Sequence, residues 1–447
     1  MERTVLKELI EWKERADRKP LILNGARQVG KTWLLHEFAR LEYKKEAYVV
    51  CRKNNLARQL FTQDFDVERI LRGLRAMTSV DITPDDTLVI LDEVQDIPEV
   101  LEALKYFKEE APDYHIAVAG SLLGISLHEN ISYPVGKVNV INLYPMSFEE
   151  FLMAKGEKEA CKLLMSRDYV MMSLLHEKYV DLLRQYYYVG GMPEAVSKYV
   201  ETGALREVRR IQQEILQGYD LDFSKHAPKE QVPRIRMVWN SVPSQLFKEN
   251  KKFIYKVVKE GARAREYEDA LQWLVDARLV HKIYRSTAPG LPVAAYDDLS
   301  AFKIYLVDVG LLRRLAQLAP TAFGEGNRLF TEFKGALTEN FVLQTLITQF
   351  EVVPRYWSQN NPPYEVDFLI QRENDIFPVE VKSEANTTSK SLKKFKELFP
   401  DQVKLRVRFS LDNLKLDDDV LNIPLFMADQ ADRLIGLALE KKNSFGQ

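Results

Sequence analysis

The stretch LILNGARQVGKTWLLHEF occupies residues 21–38 of the chain. It starts with a short apolar run, continues through Gly25 and four further residues to Gly30-Lys31-Thr32, and ends with apolar residues at helical spacing. A strand, a glycine-containing loop and a helix in this order form a phosphate-binding loop, because glycines let backbone N–H groups converge on phosphate oxygens. The helix N-terminus adds a positive dipole end. The stretch therefore predicts a parallel α/β sheet that binds a nucleotide.

The side chains of this loop have separate expected roles. Lys31 is expected to reach the β- and γ-phosphates as a catalytic contact, and the Thr32 hydroxyl is expected to bind Mg²⁺. The predicted nucleotide-binding residues are Gly25, Ala26, Arg27, Gln28, Val29, Gly30, Lys31 and Thr32. ATP and Mg²⁺ are therefore the expected cofactors.

A second apolar run, TLVILDEVQD at residues 87–96, ends in two acids. An uninterrupted apolar run is typical of a buried parallel strand, and open α/β sheets bind ligands at the carboxyl ends of their strands. Asp92 is therefore expected to hold Mg²⁺ through water, and Glu93 to orient and deprotonate the attacking water. A third strand, HIAVAGS, ends at Ser121, which is either a catalytic contact to the γ-phosphate or an ordinary turn serine.

Five motifs together resemble one family. They are GARQVGKT, LDEVQD, AGS, NLYPMSFEEF (142–151) and VGGMPEAV (189–196). The combination resembles the AAA-type P-loop ATPases of bacteria and archaea that carry a C-terminal domain named only as of unknown function, and the likeness covers nearly the whole chain. It implies that Lys31 and Thr32 contact the nucleotide. It also implies that Asp92 and Glu93 are the Walker B pair and that Ser121 is the sensor.

One position departs from the pattern of that family. Its members usually have Gly-Arg shortly before the Leu-Tyr-Pro segment, whereas this chain has Gly136-Lys137. A lysine replaces the arginine incompletely, because an ammonium lacks the planar fork of a guanidinium. If that arginine neutralises charge in the transition state, the departure predicts less efficient hydrolysis.

Residues 229–300 predict three helices followed by a hairpin of VHKIYRS and VAAYDD, which is the layout of a winged helix. Between Lys248 and Arg265 there are seven basic residues and two acids. A basic winged helix lays a helix in a DNA groove and its wing along the phosphates. DNA is therefore one of the expected partners. A solvated helical face, or a module that packs domains together, would show the same pattern.

The stretch EVDFLIQRENDIFPVEVKSE, residues 365–384, predicts a β-hairpin with acids on one face. A turn that sets Gln371 opposite Ile376 also sets Asp367 directly across from Glu380. Two carboxylates at this spacing repel each other unless a cation lies between them, and oxygen ligands suit Mg²⁺ or Mn²⁺. The hairpin therefore predicts a second metal site.

Lys382 falls on the same face as Glu380 and is expected to position a metal-bound water or stabilise developing charge. Asp367, the run Glu380-Val381-Lys382 and Glu339 on the preceding helix resemble the PD-(D/E)XK nuclease fold. The resemblance implies a metal-dependent site that cuts phosphodiesters. Charges that alternate along an exposed strand give the same short pattern, and fold alone does not establish function.

Changes in pattern along the chain predict four segments. They are a P-loop ATPase core (1–145), a helical lid (146–228), a winged-helix-like domain (229–300) and a nuclease-like domain (301–447). The expected fold class is therefore α/β, with a P-loop NTPase parallel sheet and helical lid, a winged-helix-like middle domain and a C-terminal α/β nuclease-like domain.

Composition narrows the choice of partners and compartment. The 63 Lys and Arg residues nearly cancel the 65 Asp and Glu residues, so no field of the whole molecule attracts nucleic acid or an anionic membrane. The two cysteines, Cys51 and Cys161, give neither a disulfide framework nor a metal cluster. No stretch approaches the roughly 18 apolar residues of a membrane helix. A soluble, cytoplasmic protein with no membrane partner is expected.

Three functions fit these observations. In the first, an ATPase controls a nucleic-acid-binding or nuclease-like C-terminal region through its nucleotide state, and DNA binds through residues 229–300 and 301–447. In the second, an ATP-dependent switch acts on a protein partner, and an inactive nuclease-like domain is its binding module. In the third, the protein is a metal-dependent nuclease gated by the ATPase. The first is the main prediction, and the resemblance adds a homo-oligomer, because AAA-type sites often take a basic residue from a neighbouring subunit.

Overall fold

The computed structural model describes residues 1–121, 123–126, 134–247, 252–318, 335–383 and 389–445. The chain forms two compact units. The N-terminal unit comprises Glu2–Tyr144 and Gln272–Leu279, and the C-terminal unit comprises Met1, Pro145–Leu271 and Val280–Gln447. Among the described residues, no helix combines the length and the hydropathy needed to cross a membrane.

The N-terminal unit is built around a five-stranded parallel sheet. Its strands are β1 (Leu21–Asn24), β2 (Lys45–Val50), β3 (Thr87–Asp92), β4 (His115–Ala119) and β5 (Asn139–Asn142). Its helices are α1 (Leu6–Glu14), α2 (Lys31–Glu42), α3 (Asn55–Gln63), α4 (Val67–Thr78), α5 (Glu99–Glu110) and α6 (Leu123–Ser126). The strand order is β2-β3-β4-β1-β5, and every neighbouring pair is parallel. The predicted parallel α/β sheet is therefore confirmed.

Local sequence explains where these elements begin and how they pack. Every residue of β3 and β4 is buried, as expected for strands covered on both faces. Helix α3 follows Asn54, whose side chain accepts a hydrogen bond from the N–H of Ala57. Helix α4 follows Asp66, whose side chain accepts from the N–H of Arg69. Such caps satisfy N–H groups that the first helical turn leaves free, so the polar residues mark both helix starts.

The C-terminal unit combines a large group of helices with one mixed sheet. The helices up to the sheet are α7 (Phe148–Ala154), α8 (Lys158–Met165), α9 (Tyr169–Leu174), α10 (His176–Val189), α11 (Pro193–Thr202), α12 (Leu205–His226), α13 (Val232–Leu246), α14 (Tyr255–Val258) and α15 (Ala264–Asp276), the last with residues in both units. The helices that follow are α16 (Val309–Leu315), α17 (Ala336–Gln349), α18 (Lys390–Leu398) and α19 (Ala431–Phe445).

The sheet of this unit has eight strands. They are β6 (Val280–Ser286), β7 (Asp297–Leu306), β8 (Arg355–Asn360), β9 (Pro363–Arg372), β10 (Asp375–Val381), β11 (Arg406–Ser410), β12 (Lys415–Asp417) and β13 (Val420–Pro424). Their order is β12-β13-β11-β10-β9-β8-β6-β7. Strand β6, which the sequence assigns to a separate middle domain, and β7, which spans the predicted boundary, thus belong to the same sheet as the predicted nuclease-like hairpin.

The predicted winged-helix hairpin is wrong in its second strand. VHKIYRS is β6, but Val293–Tyr296 within VAAYDD forms a 3₁₀ helix, and β7 begins at Asp297. Strand β7 is buried from residue 301 to residue 306, because its apolar run packs into the core of the unit. The strand therefore crosses the predicted boundary between residues 300 and 301. Strands β6 and β7 do pair as an antiparallel hairpin, but they do so within the eight-stranded sheet, and the winged-helix interpretation is not confirmed.

The predicted register of the acidic hairpin is confirmed. Strands β9 and β10 are antiparallel, and Gln371 pairs with Ile376. The two residues between the strands include Glu373, whose φ is 52°. The register follows from the alternation of faces along each strand together with a short turn. Extended by one residue past the pair of Phe368 and Val379, it sets Asp367 across from Glu380.

A glycine pair between α10 and α11 fixes the packing of the helices in this unit. The N–H of Gly191 donates to Asp308 Oδ2 at 2.6 Å, and its carbonyl accepts from the N–H of Met146 at 2.7 Å. Gly190 has a φ of +75°, and a Cβ there would lie 2.3 Å from Asp308 Oδ1. Only glycine fits, because other residues would be strained and would clash with the buried carboxylate. The motif VGGMPEAV therefore has a structural role in this chain.

One buried and one half-buried carboxylate, Glu149 and Asp429, meet at the N-terminus of α7. Asp429 Oδ2 accepts a hydrogen bond from the N–H of Glu149 at 2.9 Å, and Gln430 Nε2 donates to Glu149 Oε1 at 2.5 Å. Burial and the neighbouring charge of Asp429 raise the pKa of Glu149 from the ordinary value of 4.5 to about 8. Because the folded state holds this proton more tightly than the unfolded chain does, ionised Glu149 lowers the stability of the fold.

We expect Glu149→Gln to raise the unfolding temperature by a few degrees at about pH 9, because an amide removes the buried charge and still accepts from Gln430. The gain should shrink as the pH falls through about 8 and vanish near 4.5, where the native side chain is neutral in both states. Thermal unfolding at several pH values measures it. Glu159→Gln, at an exposed position on α8, is the control. An equal gain at all pH values would contradict the assignment.

Candidate functional site

The loop between β1 and α2 has the backbone conformation of a tight anion-binding turn. Gln28 and Gly30 have φ values of 66° and 93°, in the left-handed region. A Cβ on Gly25 would lie 2.3 Å from the carbonyl oxygen of Leu143, so glycine is required where the loop passes this backbone. Alternating right- and left-handed residues point successive N–H groups to one side, which is the arrangement that holds phosphates.

Lys31 closes this loop from inside. Its side chain begins α2 and is buried, and its Nζ donates to the carbonyl oxygens of Gly25 at 2.9 Å and Ala26 at 2.8 Å. Burial lowers the pKa of Lys31 to about 8, against the opposing charges of Glu93 and Asp92. A phosphate beside the ammonium adds negative charge and stabilises its protonated form. The lysine is therefore placed to exchange carbonyl partners for phosphate oxygens.

Thr32 and Asp92 meet directly beside the loop. The Thr32 hydroxyl donates to Asp92 Oδ2 at 2.6 Å, and the Tyr48 hydroxyl reaches the same oxygen at 3.2 Å. Asp92 Oδ1 accepts from the N–H of Glu93 at 2.8 Å. A hydroxyl and a carboxylate are hard oxygen donors of the kind that Mg²⁺ takes together with water and phosphate. These residues therefore fit the Mg²⁺ of a bound nucleotide.

Glu93 stands in an unusual backbone conformation just after β3. Its φ is 55°, in the left-handed region that few residues other than glycine adopt. Gln95 Nε2 donates to Glu93 Oε2 at 2.6 Å and fixes the direction of the carboxylate. Strained residues cluster at functional sites because the surrounding structure holds them there. Gln95 and Tyr48 are contacts that sequence reasoning missed, although Gln95 lies only two residues beyond Glu93.

The strand order brings the remaining predicted residue to the same edge. Strand β4 lies between β1 and β3, and Ser121 follows its last residue, Ala119, by two positions. Because the strands are parallel, their carboxyl ends share one edge of the sheet. Ser121 is therefore at the edge that carries the phosphate loop and Asp92, and its contact with a γ-phosphate stays a prediction.

Lys137 lies where the strands of this sheet begin, at the end opposite to the phosphate loop. It precedes β5, whose first residue, Asn139, pairs with Leu21 at the start of β1. The Lys137 ammonium is 2.9 Å from Glu109 Oε1, near the end of α5. Since the phosphate loop follows the opposite end of β1, Lys137 does not face a nucleotide held by its own chain. Its effect on hydrolysis in the same chain is therefore expected to be small.

Arg3 supports the phosphate loop from outside and was not foreseen. This buried side chain donates from Nη1 to the carbonyl of Val29 at 2.9 Å and from Nη2 to the carbonyl of Tyr144 at 2.7 Å. Val29 is 26 residues and Tyr144 is 141 residues away from Arg3 in sequence, so no local pattern signals these contacts. Arg3 thus ties the loop to the strand segment that follows β5.

We expect Arg3→Gln to weaken ATP binding by about ten-fold, because two buried carbonyls lose a charged donor and the loop is less well fixed. The KM for ATP should rise more than kcat falls, since Arg3 positions the loop without facing the nucleotide. Steady-state kinetics over a range of ATP concentrations separates the two. Arg3→Lys should restore part of the affinity, and exposed Arg15→Gln is the control. An unchanged KM would exclude the positioning role.

The C-terminal unit holds a separate cluster of charged residues. Lys303 on β7 is fully buried, and its Nζ is 2.5 Å from Glu365 Oε1. The Tyr305 hydroxyl donates to Glu339 Oε2 at 3.1 Å. Burial opposes the charge of Lys303, but the charges of Glu365, Glu339 and Asp367 prevail and raise its pKa. Lys303 is therefore a cation placed within the acidic cluster.

The predicted metal-binding residues are partly brought together. Asp367 Oδ2 accepts from the N–H of Val381 at 2.8 Å, and Lys382 Nζ is 2.7 Å from Glu380 Oε1. Glu380 Oε2 is buried and has no hydrogen-bond partner. In the part of the chain that the structure describes, no three acid, histidine or cysteine side chains lie close enough to hold a metal ion.

Lysine side chains supply positive charge beside Asp367 and Glu380, where the sequence predicts a metal ion. The sequence requires a cation between Asp367 and Glu380, and the structure supplies two lysines. Lys382 pairs with Glu380, as its shared strand face predicts, whereas Lys303 comes from β7 and was not foreseen. Glu339, Asp367 and Glu380 thus do not form one metal-binding group among the described residues.

The basic segment of the predicted winged helix is described only in part. Residues 248–251 lie outside the described residues. The remaining basic side chains, Lys252, Lys256, Lys259, Arg263 and Arg265, are exposed. Exposed positive charge suits a phosphate backbone and equally suits solvent. DNA contact through this segment therefore stays a prediction.

Comparison with known families assigns the N-terminal sheet. Residues 17–152 match the model of a family described as an AAA domain. Residues 180–322 and 334–426 match two families described as domains of unknown function, DUF8612 and DUF4143. No curated protein matches the chain. Residues 17–152, which contain the phosphate loop and Asp92, are therefore similar to an AAA domain.

Several solved structures show a distant likeness to the chain. The Walker-type ATPase PABY2304 of Pyrococcus abyssi is 14% identical, with 70% of this chain and 95% of that chain covered and a TM-score of 0.45. Orc1 of Aeropyrum pernix in complex with DNA is 14% identical, with 70% and 91% covered and a TM-score of 0.27. The RuvB Holliday junction branch migration motor of Thermotoga maritima is 13% identical, with 63% and 89% covered and a TM-score of 0.28.

Proposed function

We propose that this protein binds ATP with Mg²⁺ and hydrolyses it in the N-terminal unit. The observation that carries the proposal is the direct hydrogen bond between Thr32 and Asp92, beside the ammonium of Lys31. A phosphate loop, a magnesium-binding hydroxyl and a strand-end carboxylate are the parts that nucleotide hydrolysis requires, and they come from different regions of the chain. Their convergence at one sheet edge supports an enzyme over a simple anion site.

Each residue has a distinct part in this reaction. Lys31 leaves the carbonyls of Gly25 and Ala26 and neutralises the β- and γ-phosphates. Thr32 and Asp92 would hold Mg²⁺, which would supply positive charge to the phosphate oxygens. Glu93, aimed by Gln95, accepts the proton of the attacking water.

We further propose that the nucleotide state controls binding of nucleic acid by the C-terminal unit. The exposed basic side chains between Lys252 and Arg265 support this step. The test is the ATPase rate of the full chain with and without single-stranded and double-stranded DNA. Stimulation by DNA, lost at high salt, is expected because phosphate contacts release counterions. A rate that ignores both DNAs favours the second function, an ATP-dependent switch that acts on a protein partner.

We expect the nuclease-like region to bind nucleic acid or a protein partner without cutting DNA. Lys303 and Lys382 place two positive charges among these carboxylates, so a metal ion is not the only cation that offsets their repulsion. Supercoiled plasmid incubated with Mg²⁺ or Mn²⁺ should stay intact, both with the unaltered chain and with Asp367→Asn plus Glu380→Gln. Nicking that survives Lys31→Ala but disappears in the double variant would show instead that the site cleaves DNA, the third function.

A further inference from the structure

A pocket of about 690 Å³ lies within the C-terminal unit, between α12, α13 and α16. The side chains that matter for its chemistry are Arg209, Gln213, Trp239, Asn240, Arg314 and Gln317. Together with Gln217, these side chains give the pocket two arginines, four amides and one aromatic ring, a polar lining with several hydrogen-bond donors. It belongs neither to the nucleotide site nor to the acidic cluster around Lys303.

In the described parts of the chain, the two arginines of this pocket have no acidic partners. Among the described residues, neither Arg209 nor Arg314 has a carboxylate within ion-pair distance, and Arg314 Nε is buried without a hydrogen-bond partner. The lining includes one acid, Asp220, and Arg236 already binds both of its oxygens, at 2.7 and 2.8 Å. Arg209 and Arg314 therefore present unneutralised charge to the pocket.

A third arginine, Arg313, adds a buried positive charge near Arg209 and Arg314. Arg313 is fully buried, and its guanidinium lies 3.7 Å from the centre of the Tyr188 ring. Its Nη2 donates to Gln212 Oε1 at 2.9 Å, and its other described hydrogen bonds go to backbone carbonyls, so these partners are neutral. Burial and the charges of Arg209 and Arg314 lower the pKa of Arg313 to about 10. Three guanidiniums close enough to repel one another are destabilising unless an anion joins them.

The chemistry of the lining selects the anion. A guanidinium offers a planar fork of N–H donors that fits two oxygens at once, and arginine is favoured where phosphate is recognised. Two guanidiniums with flanking amides offer more donors and more charge than one carboxylate accepts, whereas a phosphate group has three acceptor oxygens and a charge near −2. We propose that the pocket between α12, α13 and α16 binds a phosphate-bearing ligand through Arg209 and Arg314.

The test uses the full chain with Lys31→Ala, so that the nucleotide loop does not contribute to phosphate binding. Inorganic phosphate is titrated by calorimetry into this protein and into the same protein with Arg209→Gln or Arg314→Gln. We expect the dissociation constant to rise about ten-fold or more in each, because each loses a charged donor. Arg210→Gln is the matched control, since Arg210 follows Arg209 on the same helix, does not line the pocket and is paired with Glu207 and Glu214.

A second measurement separates binding from a structural role. Without ligand, Arg209→Gln and Arg314→Gln should unfold at the same temperature as the parent or higher, because repulsion is relieved. Lower unfolding temperatures in both variants would overturn the proposal. Phosphate titrations in which Arg209→Gln and Arg314→Gln match Arg210→Gln, or in which the parent shows no saturable binding, would also overturn it.

The source of the phosphate follows from competition with labelled single-stranded DNA. If DNA binding weakens in Arg209→Gln and Arg314→Gln and phosphate competes with it, the ligand is a nucleic-acid backbone. If DNA binding is the same in all variants while phosphate binding differs, the ligand is a free phosphorylated molecule. Both results support the pocket as a phosphate site.

Discussion

Lys31→Ala is expected to reduce the affinity for ATP by about 100-fold, because a buried charge that faces the phosphates is removed and nothing else in the loop replaces it. The ammonium is held between the carbonyls of Gly25 and Ala26, so it is already directed into the loop before nucleotide binds. Phosphates that enter the variant keep the backbone N–H groups and lose the only lysine of the loop. Equilibrium binding of a fluorescent ATP analogue to the full chain measures the change.

Lys45→Ala is the control for this variant. Lys45 lies on β2 in the same unit and pairs at the surface with Asp81, so its removal deletes one lysine without touching the loop. Unfolding temperatures show whether Lys31→Ala keeps the fold of the sheet. A folded Lys31→Ala protein that binds ATP as well as Lys45→Ala does would refute the role of the loop.

Glu93→Gln is expected to keep ATP binding within about two-fold and to reduce turnover by at least about 100-fold, which is the usual contribution of a general base. An amide preserves the size of the side chain and an oxygen that accepts from Gln95, but it does not take a proton from water. Binding and hydrolysis should therefore separate. Phosphate release and analogue binding, measured on the same preparation, report both quantities.

Asp96→Asn makes the same chemical change three residues further along the same turn. It should leave turnover close to that of the unaltered chain. Among the described hydrogen bonds, Asp96 accepts one from Arg58 through its backbone carbonyl, and its carboxylate makes none to the phosphate loop. If Glu93→Gln hydrolyses ATP at the normal rate, Glu93 does not orient or deprotonate the water. Loss of both binding and turnover would indicate instead that the strained backbone at Glu93 shapes the loop.

The nucleotide site was predictable because its signals are local. Gly25 to Thr32 and the strand on each side are contiguous in sequence, so hydrophobic pattern and glycine spacing suffice. Asp92 is distant in sequence but ends a recognisable buried strand. Arg3 and Tyr48 reach the site only through the tertiary fold, and their neighbours in sequence give no sign of it.

The C-terminal unit shows the same contrast. The register of β9 and β10 follows from face alternation and a short turn, which are local properties. Lys303 meets Glu365 across 62 residues of sequence, so the cation of the acidic cluster was invisible to pattern reasoning. The apolar run of β7 extends the hairpin into the large sheet, whereas sequence reasoning divided the chain there.

Hydrolysis of ATP with Mg²⁺ is the activity that we propose for residues 17–152. The most direct test is phosphate release from ATP by the unaltered full chain, measured with Mg²⁺ and again after the metal is removed with EDTA. Thr32 and Asp92 predict steady release that stops on chelation and resumes when Mg²⁺ is restored. Release no faster than from ATP alone would show that the protein does not hydrolyse ATP. Release that chelation does not change would show that hydrolysis does not need Mg²⁺.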